Sequence, residues 1–380
     1  MAKNKVAQLE NMNLLTKRID LDAIAHNTRL LKNLAGPAKL MAVVKANAYN
    51  HGVERVAPVI AQNGADAFGV ATLAEALQLR EIGIKQEVLC WIWSPEQDYT
   101  AAIAQNIDLA VVSPQHAQAL INTDAKHIRV SVKIDTGLHR SGVDEQDWHE
   151  VFSQLHAAPH IEVTGLFTHL SCADEPENPE TDAQNDAFRR ALAVAHSVGL
   201  EVPVNHMCNS PAALTRPDLH FQMIRPGLAL YGLEPIEGLD HGLRPAMSWV
   251  GQVTVVKPIE AGQGTSYGLT WRAEDSGFVA VVPAGYADGM PRSAQEKFAV
   301  TINGVDYPQV GRVCMDQFVV YLGENPQGVQ AGDSAVIFGA AGQSATELAD
   351  NIGTINYEVV CRPTGRTVAT YVSEGEIDEA

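Results

Sequence analysis

One lysine closes the run Ala42-Val43-Val44-Lys45-Ala46-Asn47-Ala48-Tyr49-Asn50-His51-Gly52, where a short apolar stretch ends and a polar loop begins at once. A Val/Ala-rich run of this kind reads as a buried strand, with Lys45 at its C-terminal end. An ammonium buried without a partner is costly. Lys45 is therefore either an ion-paired core residue or committed to chemistry, and a Schiff base to an aldehyde cofactor is the usual commitment. Two more segments offer anion chemistry. Asn209-Ser210-Pro211 has the form of a helix N-cap, whose hydroxyl and backbone N–H groups can hold a phosphate. Arg225-Pro226-Gly227 ends in a glycine that lets backbone approach a ligand closely. Arg140, after the turn in Lys133-Ile134-Asp135-Thr136-Gly137-Leu138-His139-Arg140, can present a planar fork to a carboxylate, with Lys133 deeper in the same strand. Phe167-Thr168-His169 ends another strand, and His169 is read either as a structural hydrogen-bonder or as a group stacking on a ligand.

The elements that must position these groups alternate from about Ile19 to Tyr231. Strands are expected near 40–45, 67–71, 88–92, 108–112, 128–134, 161–167, 202–206 and 222–225. Helical spacing appears in 53–63, 73–82, 145–157 and 181–198, and in Ile24, Leu31 and Leu34 before Gly36-Pro37. Eight βα units over about 200 residues point to a parallel (β/α)8 barrel. An open doubly wound sheet is the alternative, but no GxGxxG follows the first strand. In such a barrel function sits at the C-terminal ends of strands, with phosphate bound after strands seven and eight. Those are the places of Asn209-Ser210 and Gly227, facing Lys45 on strand one. A phosphate site opposite an aldehyde-binding lysine implies pyridoxal 5′-phosphate.

After Gly232 the texture changes to short Val/Ile/Phe/Thr runs: Trp249–Val256, Phe278–Val282, Phe298–Ile302, Val319–Leu322 and Ala335–Phe338. Asn303-Gly304 is a type I′ hairpin signal. The division drawn here is residues 1–241 for the barrel and 242–380 for an all-β domain. Four turn motifs in the second part exceed what a purely structural domain needs: those around Tyr267, Tyr286, Arg312–Asp316 and Tyr357. They suggest loops that reach an active site, and a two-fold dimer is a natural way to bring them there.

With 27 Lys and Arg against 45 Asp and Glu, the formal charge is −18, which argues against nucleic acid or an anionic membrane as partner. The five cysteines are scattered without CxxC spacing, which reads as a reducing compartment and no metal site. The N-terminal stretch has no apolar h-region, and no run approaches transmembrane length, so the chain is expected to be cytoplasmic. The acidic tail SEGEIDEA is expected to fray.

Taken together, VVKANAY-HG, KIDTG--R-GV, THL, CNS, RPG-A-YG, SYG, GYADG, GRVCMDQ and INYE resemble, in order, the motifs of the alanine racemases. These are fold-type III, pyridoxal-phosphate-dependent enzymes, and the likeness covers nearly all of residues 18–370. The resemblance implies a homodimer that interconverts L- and D-alanine, supplying D-alanine for peptidoglycan. It also implies that Lys45 holds the cofactor and that Tyr49, Asn209, Ser210, Gly227, Leu228 and Tyr357 bind its phosphate. His169 would flank the ring, and Arg225, supported by His206, would hydrogen-bond the pyridine nitrogen. Tyr267 would be the second base, lent by the partner subunit. Arg140 and the partner's Met315 would touch substrate, Lys133 matches the lysine that is often carbamylated, and Tyr286, Arg312 and Asp316 match a substrate-entry gate. The one departure in the lysine loop is Asn50 where glycine is common, and asparagine tolerates the left-handed backbone. A broader-specificity amino-acid racemase, a fold-type III decarboxylase, a lone-barrel cofactor carrier and a sugar-phosphate aldimine enzyme are the rival readings. Arg225, which can only donate, speaks against the decarboxylase.

Overall fold

The computed structural model describes residues 13–373; the N-terminal stretch before them and the acidic tail from Glu374 lie outside the described residues. The chain divides into two compact units. One is Ala23–Ala48 with Gly52–Arg244; the other, among the described residues, is 13–22 with Tyr49–His51 and 245–373.

The first unit is built on a parallel sheet. Lys39–Val43, Ala67–Thr72, Glu87–Ile92, Asp108–Val111, Ile128–Lys133 and Ile161–Phe167 lie side by side in chain order, and Met223–Ile224 pairs on the far side of Lys39–Val43. The gap between the last two is closed by residues 202–208. Val204 N donates to Thr164 O (3.1 Å) and His206 N to Leu166 O (3.1 Å), while Gln222 N donates to Asn205 O (3.1 Å) and Arg225 N to Cys208 O (2.9 Å). The ring is therefore the expected barrel, but it has seven strands; the strand expected at 202–206 is irregular backbone that joins the ring by these hydrogen bonds and a single parallel bridge, Phe167–His206. Gly165 makes the closure sterically possible, since a Cβ there would sit 1.7 Å from Val204 O. Met41, Ala67, Leu89, Ala110, Phe167 and Met223 come from six different strands and pack as one cluster, so they fill the ring and exclude water from it. Burial of this apolar layer is the main force holding the strand ends in register.

The crossover helices Val53–Gln62, Leu73–Glu81, Trp148–Ala157 and Glu180–Ser197 lie where the 3.6-residue spacing put them. Val53, Val56, Ala57 and Ile60 form the buried stripe of the first. Thr100–Ala104 and Pro114–Ile121 are also helices, too short for their periodicity to stand out.

The second unit carries a nine-stranded sheet in the order 255–259, 277–282, 318–323, 305–310, 299–302, 334–338, 247–252, 15–20 and 368–372. Leu15–Asp20 lies in the range read as barrel, yet it pairs antiparallel with Met247–Gln252 and parallel with Val368–Val372. The single strand expected at Trp249–Val256 is two, Met247–Gln252 and Val255–Ile259. The break falls at Val253 and Thr254, whose N–H groups turn to Asp333 O (2.8 Å) and Val281 O (3.0 Å). The hairpin at Asn303-Gly304 has φ of 51° and 77°, as a type I′ turn requires. Two helices, Ala345–Ile352 and Asn356–Cys361, accompany the sheet; Ser344 and Glu347 form a capping box for the first. Among the described residues no helix is long and apolar enough to cross a membrane.

Candidate active site

Lys45 stands two residues past the end of the first barrel strand, which is pinned by Tyr231 Oη donating to Val43 O (2.9 Å) and Val43 N donating to Pro226 O (3.0 Å). Its Nζ lies 6.0 Å from the centre of the Trp91 ring. Directly after it, Ala46, Asn47, Ala48, Tyr49 and Asn50 all take left-handed φ, between 51° and 66°. Left-handed backbone costs roughly 1–2 kcal/mol for each ordinary L-residue, less for asparagine. Such strain persists only where the surroundings over-determine it, and it gathers at functional sites. Here Asn47 Oδ1 accepts from Val53 N (2.8 Å), and Ala48 N donates to Val44 O (2.8 Å).

Around the C-terminal ends of the strands the charges are mostly of one sign. Arg225 is buried, donating from Nη1 to His206 Nδ1 (2.8 Å) and from Nη2 to the carbonyls of Thr168 (2.5 Å) and Met207 (3.4 Å). Among the described residues its Nε–H meets no hydrogen-bond acceptor. A guanidinium only donates, so His206 Nδ1 must be bare and the imidazole proton sits on Nε2. Burial and then the charge of Arg225 push His206 the same way, well below its ordinary pKa. Lys133 donates to Ser141 Oγ (2.6 Å). Burial, then Arg140 and Arg225, push its amine down to about 8, against the opposing charge of Asp135. Asp135 Oδ1 accepts from the N–H of Gly137 (3.0 Å) and His139 (3.1 Å), which shapes the loop presenting Arg140 to solvent. Gly142 is required where that loop folds back, since at φ 139° a Cβ would come 2.4 Å from Asp135 N.

His169 reports the sum of these charges. Burial, then Arg225, Arg140, Lys133 and Lys45, push its imidazole down to about 3. The unfolded chain, with an ordinary pKa near roughly 6.5, binds a proton that the folded chain refuses between those two values. Stability conferred by this site is thus full above pH ~6.5 and falls as pH drops toward ~3. We expect His169→Gln to flatten that acid-side loss in denaturant melts; a variant that loses stability as steeply as the parent would contradict it.

The phosphate-type loops also lie together. Asn209 is the cap of Ser210–Thr215, its Oδ1 accepting from Ala212 N (3.4 Å). Ser210 is the first helical residue, and its hydroxyl turns across to accept from Gly227 N (2.9 Å) and Ala229 N (3.2 Å), on either side of buried Leu228. Four cations together with a convergence of hydroxyl and backbone N–H groups suit a ligand with more than one anionic group.

In the second unit, Tyr49 and Tyr357 stand with ring centres 6.3 Å apart. Burial first, then Tyr357 and Cys361, hold the Tyr49 phenol well above its ordinary pKa, so it stays a donor. Tyr267 follows Ser266, which is strained at φ 61° and whose Oγ donates to Arg312 O (2.9 Å). The Arg312 guanidinium lies against Gly268, its Cζ 3.3 Å from where a Cβ would stand. Tyr286 N donates to Cys314 O (3.1 Å) and Ala287 N to Met315 O (3.0 Å), which ties the two loops together. Asp316 pairs with Arg366 (2.7 Å), and the same guanidinium holds fully buried Asp288 (2.7 Å). Arg366 and Asp288 were not singled out by sequence reasoning. The signal was an aspartate inside Gly-Tyr-Ala-Asp-Gly, a motif read for its tyrosine. In the single chain Tyr267 is 71% exposed, Met315 51% and Tyr286 44%.

Residues 19–235 match the family model described as alanine racemase, N-terminal domain, and residues 246–371 the one described as alanine racemase, C-terminal domain. The chain is 78% identical over 361 residues to a protein named alanine racemase from Corynebacterium glutamicum, covering 95% of this chain and 100% of that one. It is 46% identical over 369 residues to one from Mycolicibacterium vanbaalenii, covering 94% and 95%. Among solved structures, the alanine racemase of Corynebacterium glutamicum superposes with a TM-score of 0.88 at 72% identity, covering 95% and 100% of the two chains. That of Streptomyces lavendulae, described as D-cycloserine producing, gives 0.91 at 41%, covering 95% and 97%.

Proposed function

This chain belongs to the alanine racemase family of isomerases, and from that premise we propose that it interconverts L- and D-alanine with pyridoxal 5′-phosphate as cofactor. The observation that carries the cofactor reading is the cluster of Lys45, Lys133, Arg140 and Arg225, whose charges all bear on His169. The residues fit the group: an amine for its aldehyde, a hydroxyl and amide cradle at Ser210, Gly227 and Leu228 with Asn209 for its phosphate, and the Arg225 Nε–H for its ring nitrogen. Tyr49 and Tyr357 are the further phosphate donors of the reading, and His169 flanks the ring. When bound, the cofactor acidifies the Cα–H of the amino acid by drawing off its electrons.

Inverting a stereocentre requires a base on one face of Cα and an acid on the other. Lys45 and Tyr267 are the two, the tyrosine serving a second copy of the chain. The exposure of Tyr267 in the single chain supports that arrangement, as does the exposure of Met315. Arg140 and the partner's Met315 hold substrate, and Tyr286, Arg312 and Asp316 form the entrance. Lys133, whose amine is pushed down to about 8, is partly neutral near physiological pH and is the lysine open to carbamylation, which would turn a cation into an anion beside Arg140. The product D-alanine serves peptidoglycan, and the reaction belongs in the cytoplasm.

Arg225 sets the reaction type. Because it donates and stays charged, the ring nitrogen it faces is left unprotonated, which weakens electron withdrawal and leaves more of the work to the two bases. Arg225→Glu should therefore slow racemisation and raise transamination, read as pyruvate formed per turnover; an unchanged ratio would remove Arg225 from this role. The assignment as a whole is tested by chiral analysis of the purified protein, with added cofactor, against a panel of amino acids. Inversion of alanine above the others is expected, and failure to invert any of them would overturn it.

A further inference from the structure

We propose that Glu75 is the positioning residue for Lys45: its carboxylate leaves its own helix to hold the left-handed turn that begins at the lysine. The inference rests on Lys45 being the cofactor lysine. Glu75 occupies the third position of helix Leu73–Glu81 and completes a capping box with Thr72, whose Oγ1 accepts from Glu75 N (3.3 Å). A capping-box glutamate ordinarily spends itself on the N–H of its own cap residue. Here only Oε2 does so, accepting from Thr72 N (3.0 Å) and Ala71 N (2.9 Å). Oε1 reaches instead across to Ala46 N at 2.7 Å, the shortest of the three bonds. Ala46 is the first of the five consecutive residues with positive φ, and its N–H belongs to the peptide that joins it to Lys45.

That bond answers a need the turn cannot meet itself. Ala46 is an exposed residue whose N–H has no strand partner, and alanine has no preference for the left-handed region. A carboxylate accepting from the peptide immediately after Lys45 fixes the plane of that peptide, and with it the direction in which the lysine side chain departs. Capping alone would need neither Oε1 nor Ala46. The arrangement therefore couples the second barrel strand and its helix to the orientation of the amine on the first.

The test compares three full-length proteins loaded with cofactor: the parent, Glu75→Gln and Thr72→Ala. Glutamine keeps the length but replaces one oxygen with a donor, so the two-sided acceptance fails. Thr72→Ala removes a cap of the same helix and leaves Ala46 alone. Amide hydrogen exchange across residues 46–49 is expected to quicken at least about tenfold in Glu75→Gln, the loss expected of one charge-assisted hydrogen bond, and not in Thr72→Ala. Affinity for added pyridoxal 5′-phosphate should weaken by a similar factor in Glu75→Gln alone. If the two variants affect exchange at 46–49 equally, or Glu75→Gln does not affect it, Glu75 is only a cap and the proposal falls. Should Glu75→Gln fail to fold, the parent decides: its Ala46 amide must be protected although the residue is exposed, and free exchange there overturns the proposal. Exchange is read without reference to turnover. A parent that neither binds the cofactor nor inverts alanine would sink the functional assignment, while the exchange comparison would still decide the role of Glu75 in the turn.

Discussion

Replacing Lys45 with alanine should abolish racemisation in both directions. The side chain has two duties in this account, holding the cofactor aldehyde and moving the α-proton on one face of the amino acid. Loss of a proton-transfer group alone costs roughly 10²–10⁴ in rate, and loss of the covalent anchor adds to it. The strained turn after the lysine is held by other groups: the N–H groups of Ala46, Ala48 and Gly52 donate to Glu75 Oε1, Val44 O and Asn47 O, and Asn47 Oδ1 accepts from Val53 N. Lys45→Ala should therefore melt near the parent while its chiral assay reads nothing. A folded variant that retains inversion in either direction would show that the amine is not in the reaction.

The second large effect is expected of Tyr267→Phe, which removes one oxygen from a side chain on the surface of the single chain. A fall of about 10²–10⁴ in kcat/KM is expected, the range for a general acid–base group. The two enantiomers of alanine have equal free energy in water, so kcat/KM must fall equally for L→D and D→L. The one-sided loss shows elsewhere: substitution of Cα–H by deuterium should slow the two directions by different factors. The direction in which the missing phenol would take the proton should show the larger isotope effect. Equal isotope effects in the variant would mean that Tyr267 positions its neighbours, Arg312 among them, and does not transfer a proton.

How far the sequence reveals this molecule depends on where each signal comes from. Most barrel members are visible as apolar runs because a parallel strand is buried on both faces, although Ile128–Lys133 alternates with polar residues and 202–206, Val-Pro-Val-Asn-His, is irregular and joins the ring through one bridge. The strand Leu15–Asp20 is not, because its partners are more than two hundred residues away and its middle residue is Lys17, a buried amine that donates to Asn50 and Pro363 O. Trp249–Val256 reads as continuous because valine and threonine favour strands on both sides of the break. The break itself is set by tertiary hydrogen bonds to Asp333 and Val281. The site divides in the same way. Lys45, Arg225 and Ser210 stand at strand and helix ends that composition marks. The left-handed run from Ala46 to Asn50 has no such mark except in its two asparagines, because Ala46, Ala48 and Tyr49 adopt it only under constraint from outside the segment. Glu75 and Arg366 are invisible for the same reason: each acts on a backbone or carboxylate brought near by the fold alone.

The central claim is that the two proton-transfer groups of one site come from different copies of the chain. Mixing the inactive Lys45→Ala protein with the strongly impaired Tyr267→Phe protein tests it, once mass spectrometry shows that their subunits have exchanged. In a mixed dimer one site then has both groups intact, so at statistical exchange activity should return to about a quarter of the parent's. Complete exchange with no recovered racemisation would contradict the account.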